Sequence, residues 1–213
     1  MPRCRTAILA AVGAGAAYCA VLRPWHLRWG ATDDEVGERL PGDELLAAAD
    51  LVSTRAITIA APAERVWPWL AQMGQGRGGF YSYDVLENVV ARCDIHSADR
   101  VVDEWQAIEV GDPVHLHPEV ALTVALVDPG RVVVLRGGVP MPAGGGATAE
   151  PPYDFTWTFA IHDAPGGATR LVMRERYAYT QRWARVIVEP VEAVSFVMSQ
   201  RMLRGIRDRA ERR

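Results

Sequence analysis

Three glycines in the stretch MGQGRGGF, residues 73–80, have a spacing with which a backbone loop can close around a pyrophosphate. Gly74, Gly76 and Gly79 satisfy G-x-G-x-x-G, a pattern that binds dinucleotides where a strand runs into the glycines and a helix opens from them. Here a helical periodicity precedes the glycines and a second short helical pattern follows them. We therefore interpret the glycines as a turn between two helices, and we predict no nucleotide or other cofactor.

Histidines supply a second candidate chemistry, a metal site. His115 and His117 lie two apart on one predicted strand face, a spacing that can provide two metal ligands. Asp94, His96 and His162 are available as further ligands, but the sequence fixes none of them as the third. We interpret these histidines as surface or cavity-rim residues and predict no metal.

A third candidate is an acid that alternates with apolar residues along strand 171–179. One face of that strand carries Leu171, Met173, Glu175, Tyr177 and Tyr179. If that face is the inner one, the pKa of Glu175 rises unless an Arg or hydroxyl partner is near. Glu175 is therefore a candidate for ligand anchoring or, with Tyr177, for acid/base catalysis, and the alternative is a structural ion pair. Arg174 and Arg176 point the other way, which predicts a solvated face there.

The strand over residues 153–162 has one apolar face and one polar face. The apolar face carries Tyr153, Phe155, Trp157, Phe159 and Ile161, and the polar face carries Asp154, Thr156, Thr158 and His162. Such an aromatic stripe lines either an ordinary core or a ligand cavity. Met198 and Met202 would face it from a C-terminal helix, and their flexible thioethers suit both interpretations.

Hydrophobic periodicity predicts the elements that must position these residues. Residues 55–60 alternate as a strand, and PAERVWPWLAQM has helical spacing, with Pro68 bending a short helix that Gly74 can cap. SYDVLENVVAR predicts a second short helix with Ser82 as its N-cap. Beyond residue 110 the period changes to two, which predicts five antiparallel strands: PVHLHP, ALTVALV, RVVVLRG, YDFTWTFAIH and TRLVMRERYAY.

The C-terminal stretch EPVEAVSFVMSQRMLRGIRDRAERR predicts a long amphipathic helix with Pro190 near its start. Its apolar stripe comprises Val191, Val194, Met198, Met202 and Ile206. The order of strand, two helices, strands and long helix predicts an α+β fold.

Three stretches together resemble the SRPBCC superfamily of START-like, polyketide cyclase-like proteins, in the form found in actinobacteria. They are RAITIAAPAERVWPWLAQMGQGRGGFYSYDVLEN, IHSADRVVDEWQAIEVGDPV and FVMSQRMLRGIRDRAE. The resemblance covers roughly residues 50–213 and implies a helix-grip fold, a curved antiparallel β-sheet wrapped around a long C-terminal α-helix over an apolar cavity. It implies a fold more than a reaction, because many such members have no assigned activity.

The N-terminus carries an apolar run of 16 uncharged residues, 7–22. The run is just shorter than the roughly 17–25 residues of a spanning helix. Arg3 and Arg5 precede it, and Trp25 and Trp29 follow it. These flanks favour a membrane anchor, with a cleaved signal or a soluble helix as alternatives, and they leave the orientation open.

The predicted organisation is an N-terminal apolar segment (1–30), a connector (31–50) and a helix-grip domain (51–213). A membrane-associated location follows, with a cytoplasmic one as the alternative.

Composition limits the partners. The net charge is −3, and although all 23 basic residues are Arg they give no basic footprint, so nucleic acid is not expected as a partner. The three cysteines form neither a disulfide framework nor a zinc-site spacing.

Three functions then remain open. We favour the binding or carriage of a hydrophobic small molecule or lipid in the cavity. A cyclase- or dehydratase-like enzyme using Glu175 and Tyr177 is the second, and a ligand-free structural or partner-binding domain is the third. The carrier is favoured because an enzyme needs two or more converging polar groups, whereas the sequence supplies one clearly inward acid. The predicted ligand contacts are Tyr153, Phe155, Trp157, Phe159, Glu175, Tyr177, Met198 and Met202.

Overall fold

The computed structural model describes residues 18–85, 88, 94–118, 120–138 and 151–212. Within these residues six strands form one antiparallel sheet in the order β1-β6-β5-β4-β3-β2. The strands are β1 (Leu51–Ile59), β2 (Pro113–His117), β3 (Val120–Asp128), β4 (Val132–Gly137), β5 (Tyr153–Ala164) and β6 (Ala168–Tyr179). Each predicted strand is present, because alternating side chains suit a sheet with two chemically different faces.

Four α-helices lie wholly within the described residues. They are α1 (Arg23–Leu27), α2 (Asp33–Gly37), α3 (Ala63–Ala71) and α4 (Ala184–Ala210). Shorter helical turns cover Tyr18–Leu22, Asp43–Leu46, Asp103–Trp105 and Pro165–Gly167. Helix α4 is about 40 Å long at 1.5 Å per residue, and it packs on one face of the sheet, called here the inner face. This arrangement confirms the predicted α+β helix-grip architecture.

The start and rotation of α4 differ from the prediction. Pro190 was expected near the start, but it is the seventh residue of the helix, because the helical pattern extends back to the buried Ala184. The predicted stripe was also wrong at Val191 and Val194, which are exposed at 44% and 59%. The buried face is rotated and comprises Ala184, Val188, Glu192, Ser199, Met202, Leu203, Gly205, Ile206 and Ala210. Its first half is therefore partly polar.

The outer face of the sheet is covered by the segment that precedes β1. Leu40 is buried there against Val134 and Val172, which belong to a second apolar cluster, separate from the main core. Arg174, predicted to lie on a solvated face, is only 2% exposed, so that prediction was wrong. Its guanidinium donates to Asp43 Oδ2 at 2.6 Å and to three backbone carbonyls of residues 35–38. These bonds satisfy the buried charge.

The glycine loop follows α3 and closes on itself. The amides of Gly74 and Gly79 each donate to the other's carbonyl, at 3.1 and 3.0 Å, and both residues have positive φ angles. Ser82, the predicted N-cap of the next helix, donates its hydroxyl to the carbonyl of Met198 on α4. Much of that second helix lies outside the described residues, although positions 84, 85 and 88 are helical. The loop thus connects two helical segments, as predicted.

The described part of the predicted anchor is its last five residues, Tyr18–Leu22. The other residues of the run, 7–17, lie outside the described residues. Among the residues that are described, no helix is long and apolar enough to cross a membrane.

Candidate functional site

A cavity of about 230 Å³ lies between the inner face of the sheet and the middle of α4. Of the eight predicted ligand contacts, seven line it: Tyr153, Phe155, Trp157, Glu175, Tyr177, Met198 and Met202. Phe159 does not; its side chain is fully buried in the core. The walls also include Phe80, Ser82, Leu116, Val191, Ser195 and Ser199.

Strand register brings the aromatic and acidic residues together. In the antiparallel pair of β5 and β6, Trp157 lies opposite Glu175 and Phe155 lies opposite Tyr177. Directly opposed side chains share a face and approach closely. The rings of Phe155 and Tyr177 accordingly lie 4.7 Å apart between centroids, and Tyr153 meets Tyr177 edge-on at 5.4 Å. The result is an aromatic wall with one carboxylate beside it.

Glu175 forms the polar end of the cavity, and donors hold both of its oxygens. Its Oε2 accepts from Arg55 Nη1 at 2.6 Å and from the hydroxyl of Ser53 at 2.9 Å. Its Oε1 accepts from the hydroxyl of Ser195, on α4, at 3.0 Å. The predicted interior acid is therefore an ion-paired residue that also faces the cavity.

Arg55 holds a second acid, and the two acids form a buried ionic cluster with it. Arg55 is fully buried; its Nη2 donates to Glu192 of α4 and its Nε donates to the carbonyl of His26. His26 Nδ1 lies 2.9 Å from Glu192 Oε2, and Tyr18 OH lies 3.2 Å from His26 Nε2. The cluster thus links the cavity wall, α4 and the N-terminal segment.

The cluster contains two carboxylates against one guanidinium, so a proton is needed for neutrality. Burial raises the pKa of Glu192 to about 7. Burial, and then the positive charge of Arg55, lower the pKa of His26. These opposite shifts favour the proton on the Glu192 carboxyl over the His26 imidazole.

Tyr177 lies next to Glu175 on β6 but has no means of acting as a base. Burial, reinforced by the charge of Glu175, raises its pKa well above the usual value for a phenol. Its hydroxyl stays protonated at neutral pH. Glu175 is engaged by three donors, so the pair consists of an ion-paired carboxylate and a protonated phenol.

The histidines considered as metal ligands do not share one strand face. A β-bulge falls between His115 and His117, so they lose the common face that strict alternation would give. His96 pairs instead with Asp94, and both are exposed. Among the described residues, no group of three His, Cys, Asp or Glu side chains is placed to hold a metal ion.

Sequence reasoning missed Arg55, Glu192, His26 and Ser195. One signal was present: in RAITI, Arg55 alternates with Ile57 and Ile59, which places all three on the inner face. His26 carried no comparable signal, because its partner lies 166 positions away on α4.

Comparisons with known proteins bear on the fold. No protein-family model matches the sequence, and no curated protein matches it. Several of the solved structures that it resembles are SRPBCC proteins, the superfamily that the sequence resembles. They include the ZhuI aromatase/cyclase from Streptomyces sp. R1128, with 18% identity, 76% of this chain and 94% of that one covered, and a TM-score of 0.42. Norcoclaurine synthase from Thalictrum flavum has 13% identity, 74% and 84% coverage, and a TM-score of 0.43. A hypothetical protein from Helicobacter pylori has 11% identity, 81% and 95% coverage, and a TM-score of 0.46. At these values what each neighbour does is no guide to the chemistry of this cavity.

Proposed function

We propose that this protein binds a hydrophobic small molecule in the cavity between the sheet and α4. One observation supports the proposal above all: a pocket of about 230 Å³, partly open to solvent, lies between the sheet and α4 beside the aromatic rings of β5 and β6. Protein interiors are ordinarily packed to the density of organic crystals, with few voids larger than a water molecule. An apolar void of about 150 Å³ already suffices to hold benzene.

The alternatives have less support. A long-chain lipid needs more room than this cavity offers, since sites for drug-sized ligands measure roughly 300–1,000 Å³. The enzyme alternative would use Glu175 and Tyr177, which are an ion-paired carboxylate and a protonated phenol. A ligand-free structural domain would be expected to have a filled sheet–helix interface.

The test is to fill the cavity from α4. Met198→Trp should abolish binding of naphthalene, an apolar two-ring probe, as measured by isothermal titration calorimetry on the full chain. Val197→Trp is the matched control, because Val197 is the adjacent residue, is 46% exposed and does not line the cavity. Val191→Trp, at a lining position nearer the solvent, repeats the test if Met198→Trp does not fold. Binding that is undiminished in both lining variants would refute the proposal.

We also propose that residues 7–22 attach this binding domain to a membrane. Val21 and Leu22, at the described end of the run, are exposed at 64% and 54%, so the domain does not bury them. Trp25 is likewise exposed and lies beside Phe196 of α4. Exposed Trp next to an apolar run is typical of the membrane–water interface.

A further inference from the structure

We infer that the ligand of this cavity is an uncharged one- or two-ring molecule bearing a hydroxyl group, which binds between Glu175 and Trp157. This inference rests on the proposed function and adds the chemical class of the ligand. Three properties of the cavity carry it: its size, the charges at its polar end and the hydrogen-bonding capacity left unused there.

The size sets the ring count. The volume of the cavity is larger by about half than the roughly 150 Å³ void that accommodates benzene. A body of about two fused rings fits this space, and flat aromatic walls at Phe155 and Trp157 favour ring stacking.

The charges exclude an anion. Among the described residues that line the cavity none is basic, and the acid is Glu175. The nearby guanidinium of Arg55 is fully buried, and each of its nitrogens already donates, to His26, Glu175, Ser199 or Glu192. A carboxylate ligand would therefore meet a like charge with no cation free to receive it.

The remaining hydrogen-bonding capacity matches a hydroxyl group. A carboxylate offers about four acceptor positions, and Glu175 uses three of them, on Arg55, Ser53 and Ser195. One position on Oε1 is left to accept from a ligand. Trp157, directly across the strand pair from Glu175, has a buried indole N–H that finds no acceptor among the described residues. A buried donor without a partner costs free energy, which a ligand oxygen would recover.

A hydroxyl is the simplest group that satisfies both residues, because it donates to Glu175 and accepts from Trp157. An ether only accepts, an ammonium only donates, and a hydrocarbon does neither. The ligand class is thus set by two neighbouring side chains of opposite hydrogen-bonding role.

Four probes with one ring system test the inference on the full-length protein by calorimetry: naphthalene, 2-methoxynaphthalene, 2-naphthol and 2-naphthoate. We expect 2-naphthol to bind at least about tenfold more tightly than naphthalene, the effect of one hydrogen bond to a charged acceptor. We expect 2-methoxynaphthalene to bind more weakly than 2-naphthol, and 2-naphthoate not to bind.

Two variants locate the effect. Glu175→Gln keeps the shape and removes the charge, so the preference for 2-naphthol over naphthalene should fall to a few-fold and 2-naphthoate should gain affinity. Trp157→Phe keeps a ring and removes the N–H. The affinities of 2-naphthol and 2-methoxynaphthalene should therefore move closer to the affinity of naphthalene. Trp67→Phe, outside the cavity, is the control and should change nothing.

The outcomes separate the two proposals. If naphthalene or 2-naphthoate binds wild type as tightly as 2-naphthol, the hydroxyl inference is overturned while the binding function stands. If the preference survives in both variants, Glu175 and Trp157 are not its source and the inference is again overturned. If no probe binds the folded protein, the proposed function fails as well.

Discussion

Replacing Arg55 with methionine tests whether the buried ionic cluster holds the site together. The guanidinium of Arg55 contacts both Glu175 and Glu192, and all three side chains are almost completely buried. Methionine has a similar length and no charge. The variant would leave two carboxylates in an apolar interior, and each carboxylate can relieve the cost of burial by taking up a proton.

The expected cost follows from that protonation. Holding a proton at pH 7 on a carboxyl whose unfolded-state pKa is about 4.3 costs about 4 kcal/mol, at 1.36 kcal/mol per pH unit. Glu192 already has a pKa of about 7 in the wild type, so most of the free-energy cost of protonating Glu192 is present in both proteins. The additional loss of stability therefore comes from Glu175 and amounts to about 4 kcal/mol at pH 7. This is a large part of the free energy of unfolding of a typical protein, about 5–15 kcal/mol.

The same protonation determines whether the stability deficit grows or shrinks with pH. In the variant Glu175 is buried without its cation, so the native state keeps a proton that the unfolded state loses as pH rises above about 4.3. Stability relative to wild type then falls with rising pH. The deficit should be about 1 kcal/mol at pH 5 and about 4 kcal/mol at pH 7.

Urea unfolding of both proteins at pH 5, 6 and 7, followed by circular dichroism, measures this difference. Arg174→Met is the matched control, since it also removes a buried arginine. There Asp43 keeps Arg176, whose Nη1 lies 3.4 Å from Asp43 Oδ1, so its deficit should vary less with pH. An Arg55→Met deficit that is equal at pH 5 and pH 7 would show that unpaired carboxylates are not the cause.

Two further predictions concern other parts of the chain. A Cβ at Gly205 would lie 2.2 Å from the carbonyl oxygen of Tyr81, itself at φ +57, so Gly205→Ala should cost about 2–3 kcal/mol. At Gly76 an added Cβ meets no neighbouring atom, so Gly76→Ala should cost only about 1 kcal/mol, because its φ is positive. Urea unfolding midpoints of the two variants measure this difference in stability, and equal midpoints would contradict it. Full-length protein should sediment with membranes, whereas a chain starting at Tyr18, which retains the buried His26, should stay in solution with the same melting temperature. Recovery of both proteins in the supernatant would contradict an anchor in residues 7–22.

The positions of the cavity-lining residues on β5 and β6 could be predicted because strand periodicity is local. Alternation fixes which residues share a face, and a wholly apolar, mostly aromatic face on β5 predicts burial without knowledge of any partner. The same reasoning placed Glu175 on the inner face. It could not choose between a ligand anchor and an ion pair, because that depends on residues far along the chain.

Helix α4 shows why the rest was not predictable. A rotation of the helix by part of a turn exchanges Val191 and Val194 for Glu192 and Ser199 at the buried face. Hydrophobicity alone favours the valines, and only contact with Arg55 makes the polar choice stable. The wrong prediction for Arg174, on the outer face of the sheet, also arose from partners that are distant in the sequence. Arg174 was expected in water because an unpaired buried arginine is costly, but the segment before β1 supplies Asp43 and backbone carbonyls.

The proposed binding function accounts for the ionic cluster better than stability does. A buried ion pair often contributes little to folding, because desolvation offsets the attraction, and well-packed apolar residues would hold α4 to the sheet at least as firmly. An apolar replacement of Arg55 and its two acids would, however, leave the cavity without its acceptor at Glu175. It would also remove the contact that ties His26 to α4. The cluster keeps one charged oxygen fixed at the end of an aromatic cavity, and a ligand with a matching donor is what such an oxygen can select.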